Sequence, residues 1–339
     1  MSERGREFYA QDASARASWR LAVLMGANTR TYKFALGQTL LEFGRDGRDA
    51  VPLAEFAAAY SLGVVRHLAL GPQAPQTADL GENDFLAVAA RESAATLAAG
   101  HPSEQLLAAA VRSMPAMVMR KFHHLRGDSA VPHTFYELAG TGRQRVVRLT
   151  SDLLGLARSE QAAGLAGELD ARWSIVESSF AAGVGRSLIE EGVVVDRETL
   201  RITDKRRRRS VTGLHEATVG FQHGRCVICG EVLTAGQAVA VDHVFPYSLM
   251  DRLRSVGSWN GPDLDVLWNL ASAHATCNGA KSDRLPVPAQ LARLADRNEA
   301  IMQSPHPLRR TLQLSLRSAL PGRRVPSWPE FLRAVQTVV

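Results

Sequence analysis

The chain has 339 residues, 45% of them hydrophobic and 22% charged, the make-up of an ordinary soluble globular protein of about two domains. No apolar run is long enough to span a bilayer, and the opening Met-Ser-Glu-Arg-Gly-Arg-Glu lacks the apolar core of a secretion signal. Membrane and exported classes are therefore set aside, and the cytoplasm is the expected compartment. The formal charge of +6 favours a polyanionic partner.

In chain order, the first 200 residues read as mainly helical. Apolar residues recur at spacings of three and four over Thr31 to Phe43, Leu53 to Leu70, Asn83 to Ala99 and Ser103 to Leu125, with Pro or Gly between the segments. Pro115 is expected to kink or split the last of these. The segment Asn28-Thr-Arg-Thr-Tyr-Lys-Phe34 reads equally as a nucleic-acid contact or as a helix start capped by Thr29 or Thr31. A basic cluster, second to the run at 205–209, is Arg120-Lys-Phe-His-His-Leu-Arg126 at the end of an expected helix; cations suit a helix C-terminus on dipole grounds alone, so the structural reading is favoured over a phosphate contact. Arg145 to Thr150 alternates as a strand, Glu160 to Ala182 repeats as a helix, and Gly192 to Ile202 reads as a hairpin turning at Asp196 to Glu198. There is no internal repeat and no Gly-rich phosphate loop.

A five-residue basic run, Lys205, Arg206, Arg207, Arg208 and Arg209, follows, with Arg225 close behind. It reads either as a grip on a phosphate backbone or as a solvated linker. Next come two knuckles, Cys226-Val-Ile-Cys229 and His274-Ala-Thr-Cys277, which take up all three cysteines of the chain and add one histidine. Two residues between ligands let a tight turn aim both side chains at one ion, and Gly230 suits that turn. The four side chains complete a tetrahedral Cys3His site, so a structural Zn²⁺ that staples a long loop shut is expected. Inside the staple, Gln237 to Pro246 is an apolar, β-branched run that reads as a strand delivering Asp242 and His243 at its end. Val266 to Ala273 reads as a second strand and His274 to Lys281 as the start of a helix, which would put His274 and Asn278 on one face. After the proline-bounded link Leu285-Pro-Val-Pro288, helices are expected from Ala289 to Gln303 and from Ser327 to the end, packed on this unit or on the helical one.

Taken together, Asp242-His243, Asn269 and Asn278, framed by the knuckles and flanked by Val244-Phe-Pro246 and Asn278-Gly-Ala-Lys281, resemble the HNH nuclease family and its ββα-metal unit. The resemblance covers roughly residues 220 to 285, about a fifth of the chain, and the variant is the one that closes on Asn. It departs from the family at His274, where Cys is more common; histidine is a competent zinc ligand. The resemblance implies that His243 is the general base, that Asn269 orients the imidazole by hydrogen bonding, and that Asp242 and Asn278 hold one catalytic Mg²⁺ or Mn²⁺. Lys281 would add a phosphate contact.

The expected class is α+β, with a mainly helical domain over 1–210, a zinc-stapled HNH nuclease domain over 211–288 and a C-terminal helical segment over 289–339. The expected activity is metal-dependent hydrolysis of DNA, duplex in the first instance, with the helical domain selecting substrate, partner protein or signal. Resemblance alone suggests restriction or phage defence. Two alternatives stay open at this level: a zinc-stapled nucleic-acid-binding module without catalysis, and an RNA-directed nuclease or toxin.

Overall fold

The computed structural model describes residues 12–26, 29–125, 129–181, 193–195, 201–204, 210–255, 257, 259, 261–318 and 327–338. Chain contacts divide them into two compact units, one within Asp12–Gly185 and one within Arg186–Val339. Helices predominate and the sheets are small, so the class is α+β.

In the first unit, α1 (Ala15–Arg20) begins at Ser14, whose Oγ accepts the Ala17 N–H, and runs on into a π-helical turn, Leu21–Met25. The helix α2 (Tyr32–Arg45) buries Phe34, Leu36 and Leu40, and Lys33 donates to the Ala22 carbonyl of the π turn at 3.1 Å. A short strand β1 (Ala50–Pro52) leads directly into α3 (Leu53–Leu68). The helix α4 (Phe85–Ala99) starts on the Asp84 carboxylate and stops at Gly100, which takes the left-handed conformation that glycine tolerates. Pro115 does split the next helix: α5 (Glu104–Ser113) ends before it and α6 (Val118–Lys121) resumes after it. Strands β2 (Tyr136–Ala139) and β3 (Val146–Leu149) complete a small antiparallel sheet in the order β1-β3-β2. Two helices follow, α7 (Ser151–Ala157), capped by Thr150, and α8 (Ala162–Ala181).

The helix α8 buries polar side chains as well as apolar ones. Each buried carboxylate finds donors, as desolvation demands. Glu168 takes the Arg20 guanidinium at 2.9 and 2.8 Å, and Glu177 takes His67 Nδ1 and Gln73 Nε2, both at 2.7 Å. The segment that read as either nucleic-acid contact or helix start belongs to the structure of the unit. Thr31 bonds Gln73, Arg30 pairs with Asp84, and Phe34 is fully buried. Asn28 lies outside the described residues, as does Arg126 of the second basic cluster.

In the second unit, β4 (Val193–Val195), β5 (Arg201–Asp204) and β6 (Ser210–Gly213) form an antiparallel sheet. The expected hairpin is there in its strands, while its turn, 196–200, lies outside the described residues. The basic run Lys205 to Arg209 is outside them too. After α9 (Leu214–Thr218) comes β7 (Val239–His243), then α10 (Tyr247–Ser255), then β8 (Leu270–His274) and α11 (Ala275–Lys281). The second strand thus starts later than expected. Residues Leu267–Asn269 form a 3-10 turn instead, because Arg297 and Asn298 draw the Leu267 and Trp268 carbonyls out of any ladder. His274 is also not a helix residue. It closes β8 and stands at the helix N-cap with extended backbone, so its relation to Asn278 is that of a strand end to a helix.

Three helices close the unit: α12 (Pro288–Gln303), α13 (Leu308–Ser318) and α14 (Trp328–Val338). The helix α14 packs on Trp268, whose ring centroid lies 6.5 Å from that of Trp328 and 4.9 Å from that of Phe331, and α12 reaches the same turn through Arg297 and Asn298. The helix α13 was absent from the sequence expectation.

Candidate functional site

The site is built on the antiparallel pair β7–β8, in register Val239↔His274 at one end and His243↔Leu270 at the other. Four residues of extended chain separate the ends, about 13 Å at about 3.3 Å per residue. The two ends carry different chemistry.

At the first end, Cys226, Cys229, His274 and Cys277 bring one ligand atom each within 4.8 Å of all the others. His274 Nδ1 lies 3.5 Å from Cys229 Sγ and 3.8 Å from Cys277 Sγ. Tetrahedral zinc with bonds of about 2.3 Å to sulfur and about 2.0 to 2.1 Å to nitrogen requires a sulfur–nitrogen separation of about 3.6 Å, so the geometry fits. The backbone explains the convergence. The Cys226 N–H bonds Glu231 O at 2.8 Å and Gly230 N–H bonds Cys226 O at 2.9 Å, closing a turn in which Gly230 takes φ +84°. Val227 N–H on Ser272 O, at 3.0 Å, ties this turn to β8. His274 Nε2 points at Val232 O, 3.3 Å away, which leaves Nδ1 to face the thiols. Burial opposes ionisation of Cys226, yet the backbone N–H groups of Cys229, His274 and Ile228 outweigh it and hold that thiol below its usual range. Burial, with Cys229 and Cys226 adding to it, pushes the Cys277 thiol up to about 11. Thiolates packed this closely repel one another, and a divalent cation among them relieves that repulsion in exchange for protons.

The helix α12 reaches this end from outside the motif. Arg293 Nε donates to Val227 O at 2.7 Å and its Nη2 to Ile228 O, so one guanidinium grips the first knuckle through two carbonyls. Arg225, expected to meet phosphate, is exposed and donates to Gly230 O at 3.2 Å.

At the second end stand Asp242 and His243, and the seven-residue α11 runs back along the strands toward them. Lys281, its last residue, is buried, and its ammonium donates to Asp242 Oδ1 at 3.1 Å and to the His243 carbonyl at 2.9 Å. Asn278, three positions earlier, shares that helix face. Burial pushes the Asp242 carboxyl up and the Lys281 charge pulls it back, leaving it above its usual range. Its other oxygen, Oδ2, is buried and accepts no hydrogen bond from the described residues. An unpartnered carboxylate oxygen beside an amide-bearing helix is the kind of donor a hard cation takes.

Comparison with models of known protein families, with curated proteins and with solved structures finds no match to this chain. What the site can do therefore rests on its own groups.

His243 is half-buried, and its Nε2 lies 2.9 Å from Asp265 Oδ1. Tyr247, at the start of α10, sets its ring 5.7 Å from the imidazole. Asn269 does not bond the imidazole, contrary to the role the resemblance implies. It is fully buried; its Oδ1 accepts the Phe245 N–H, and its Nδ2 donates to the carbonyls of Phe245 and Leu264, all at 2.8 Å. The reason is its place in the 3-10 turn, which points the amide at backbone that has no ladder partner. Sequence reading missed Asp265 and Arg293. The signal for Asp265 was a carboxylate four residues before Asn269 in the turn-forming Asp263-Leu-Asp265; nothing marked Arg293 among forty basic residues.

Proposed function

We propose that the second unit is an HNH-type endonuclease that hydrolyses DNA phosphodiester bonds, with a structural zinc in its Cys3His cluster. The observation that carries this reading is the order of elements around the β7–β8 pair. The strand β7 ends in Asp242-His243, β8 ends at a four-ligand cluster about 13 Å away, and α11 starts at that cluster and returns Lys281 to Asp242. A site used only to bind nucleic acid has no need of a carboxylate-held imidazole next to a second carboxylate that keeps a free oxygen beside an ammonium.

The chemistry follows from those groups. A neutral His243 accepts a proton from water as the water oxygen bonds to phosphorus; the bond from phosphorus to the leaving oxygen breaks, and that oxygen is protonated in turn. Asp242 and Asn278 would hold a hard divalent cation such as Mg²⁺ or Mn²⁺, which supplies charge to the phosphoryl and leaving oxygens. Lys281 neutralises Asp242 and fixes the carbonyl of His243, so it keeps the base at the strand end. The first unit, in this reading, selects substrate, partner or signal, and the basic run at 205–209 contributes to holding the phosphate backbone.

One observation favours the second reading, a zinc-stapled binding module without catalysis: the Asp242 carboxylate already has a cationic partner in Lys281. The deciding experiment incubates the zinc-loaded protein with supercoiled plasmid, linear duplex, single-stranded DNA and RNA, with Mg²⁺ or Mn²⁺ and with chelator. Cation-dependent cutting of DNA that falls by about two orders of magnitude or more in His243→Ala supports the nuclease. Binding without cutting supports the module, cutting of RNA alone supports the RNA-directed nuclease, and wild-type rates in His243→Ala would place the base elsewhere.

A further inference from the structure

The geometry points to Asp265 as the residue that positions His243: we propose that it fixes the ring proton on Nε2 and so presents Nδ1 as the nitrogen that receives the proton of water. This inference rests on the nuclease reading and deepens it. A carboxylate accepts hydrogen bonds and donates none, so in the 2.9 Å contact between His243 Nε2 and Asp265 Oδ1 the hydrogen belongs to the ring. A neutral ring held this way carries its lone pair on Nδ1. The Asp265 side chain is 15% exposed and that of His243 is 29% exposed, so the bond is largely shielded while the ring keeps an open edge. When water gives its proton to Nδ1, the imidazolium that forms is already paired with a carboxylate, the same division of labour as in the Ser-His-Asp arrangement.

Asp265 can hold the ring only if it is held itself, and the structure supplies that support. The Asp265 N–H donates to Asp263 Oδ1 at 2.9 Å, an Asx turn that sets the direction of the side chain. One residue earlier, the Leu264 carbonyl accepts from Asn269 Nδ2, and the same Asn269 side chain takes both the N–H and the carbonyl of Phe245, two residues after His243. Asn269 therefore clamps together the two backbone segments whose side chains meet as Asp265 and His243. Both are positioning residues: Asp265 acts on the ring, and Asn269 acts on the backbone that brings the ring and the carboxylate together.

The test uses the zinc-loaded full chain and its Asp265→Asn and Asp265→Glu variants. The tautomer of His243 is read from two-bond proton–nitrogen correlations, assigned against His243→Gln, and plasmid cleavage is measured with Mn²⁺. The parent is expected to show its proton on Nε2. In Asp265→Asn the carboxamide can donate to the ring, so the proton moves to Nδ1, and kcat falls on the order of 10²- to 10⁴-fold with KM nearly unchanged, by analogy with the serine-protease triad. Asp265→Glu keeps a carboxylate and is expected to retain the Nε2–H tautomer and more of the rate, which guards against a variant that merely folds poorly. Parent spectra with the proton on Nδ1, or Asp265→Asn cutting at the parent rate, would overturn the inference and leave the nuclease reading standing. A parent that shows the Nε2–H tautomer but cuts no nucleic acid would sink the nuclease reading, and the catalytic purpose of the pair with it.

Discussion

His243 and Asp242 are neighbours on one strand, yet they differ in what their removal would do. The imidazole is half-buried and its partner Asp265 keeps some contact with solvent, so truncating it strands no fully buried charge. Asp242 is buried against Lys281, and truncating it leaves a buried ammonium with only a carbonyl for company. Breaking such a pair from one side costs about 3–5 kcal/mol, far more than the intact pair contributes. We therefore expect Asp242→Ala to unfold at clearly lower urea concentration, and Asp242→Asn, which keeps an oxygen for Lys281 but not the charge, to fall between that variant and the parent. If Asp242 binds the catalytic cation, Asp242→Asn should still lose the response of cleavage to Mg²⁺ or Mn²⁺. A urea midpoint of Asp242→Ala equal to that of the parent would show that Lys281 finds another partner at no cost.

Among the elements, the Cys3His cluster, which could hold a metal such as zinc, and α12 form one support. Structural zinc contributes directly to the folding of the unit it closes, so Cys277→Ser should lose the metal by elemental analysis and destabilise the second unit. Arg293 should matter to the same metal without touching it, because its guanidinium holds the carbonyls of Val227 and Ile228 between the first two ligands. Partners outside the ligand shell typically change metal affinity by about 10- to 100-fold, so Arg293→Gln is expected to release zinc to a competing chelator at least about tenfold more readily. Equal chelator competition in the parent and Arg293→Gln would make α12 a bystander to the staple.

At the scale of the whole molecule, charge and protonation set the solution behaviour. If Lys205 to Arg209 grip phosphates, replacing all five with Gln should flatten the salt dependence of duplex binding by about 0.9 in log–log slope for each phosphate no longer neutralised. An unchanged slope assigns the run to a linker. The first unit has a pH response of its own. His123 Nε2 accepts the Phe135 N–H at 2.9 Å, which needs a neutral ring, and burial, followed by the Lys33 and His124 charges, lowers its pKa from 6.5 to about 4. As pH falls below 6.5 the unfolded chain takes up a proton that the folded chain refuses, so stability is lost between about 6.5 and 4 and changes no further below that. With the partial exposure of the ring discounted, the loss is about 2 kcal/mol. The difference in unfolding free energy between the parent and His123→Gln, followed across that window, should shrink toward acid; a flat difference would remove His123 as the cause.

Local chemistry was legible in the sequence because it depends on residue type and short spacing. The paired knuckles, the strand ending at Asp242 and His243, the break at Pro115 and the helix after the Pro288 link all follow from turns, alternation and backbone restrictions that act within a few residues. What the sequence could not carry was the identity of partners far apart along the chain. Lys281 reads as a phosphate contact until β7 and α11 are brought together; then it is a buried partner of Asp242, 39 positions away. Asn269 reads as the residue that holds the imidazole, but the turn in which it sits directs its amide at the backbone of Phe245 and Leu264, and the hold on the ring passes to Asp265. Arg293 and Arg297 are two basic residues among forty until α12 packs and aims them at carbonyls that strands leave unpaired. Residue types and spacing limit which chemistry is possible, whereas hydrogen-bond partners are chosen by which buried donors and acceptors the tertiary fold leaves to be satisfied.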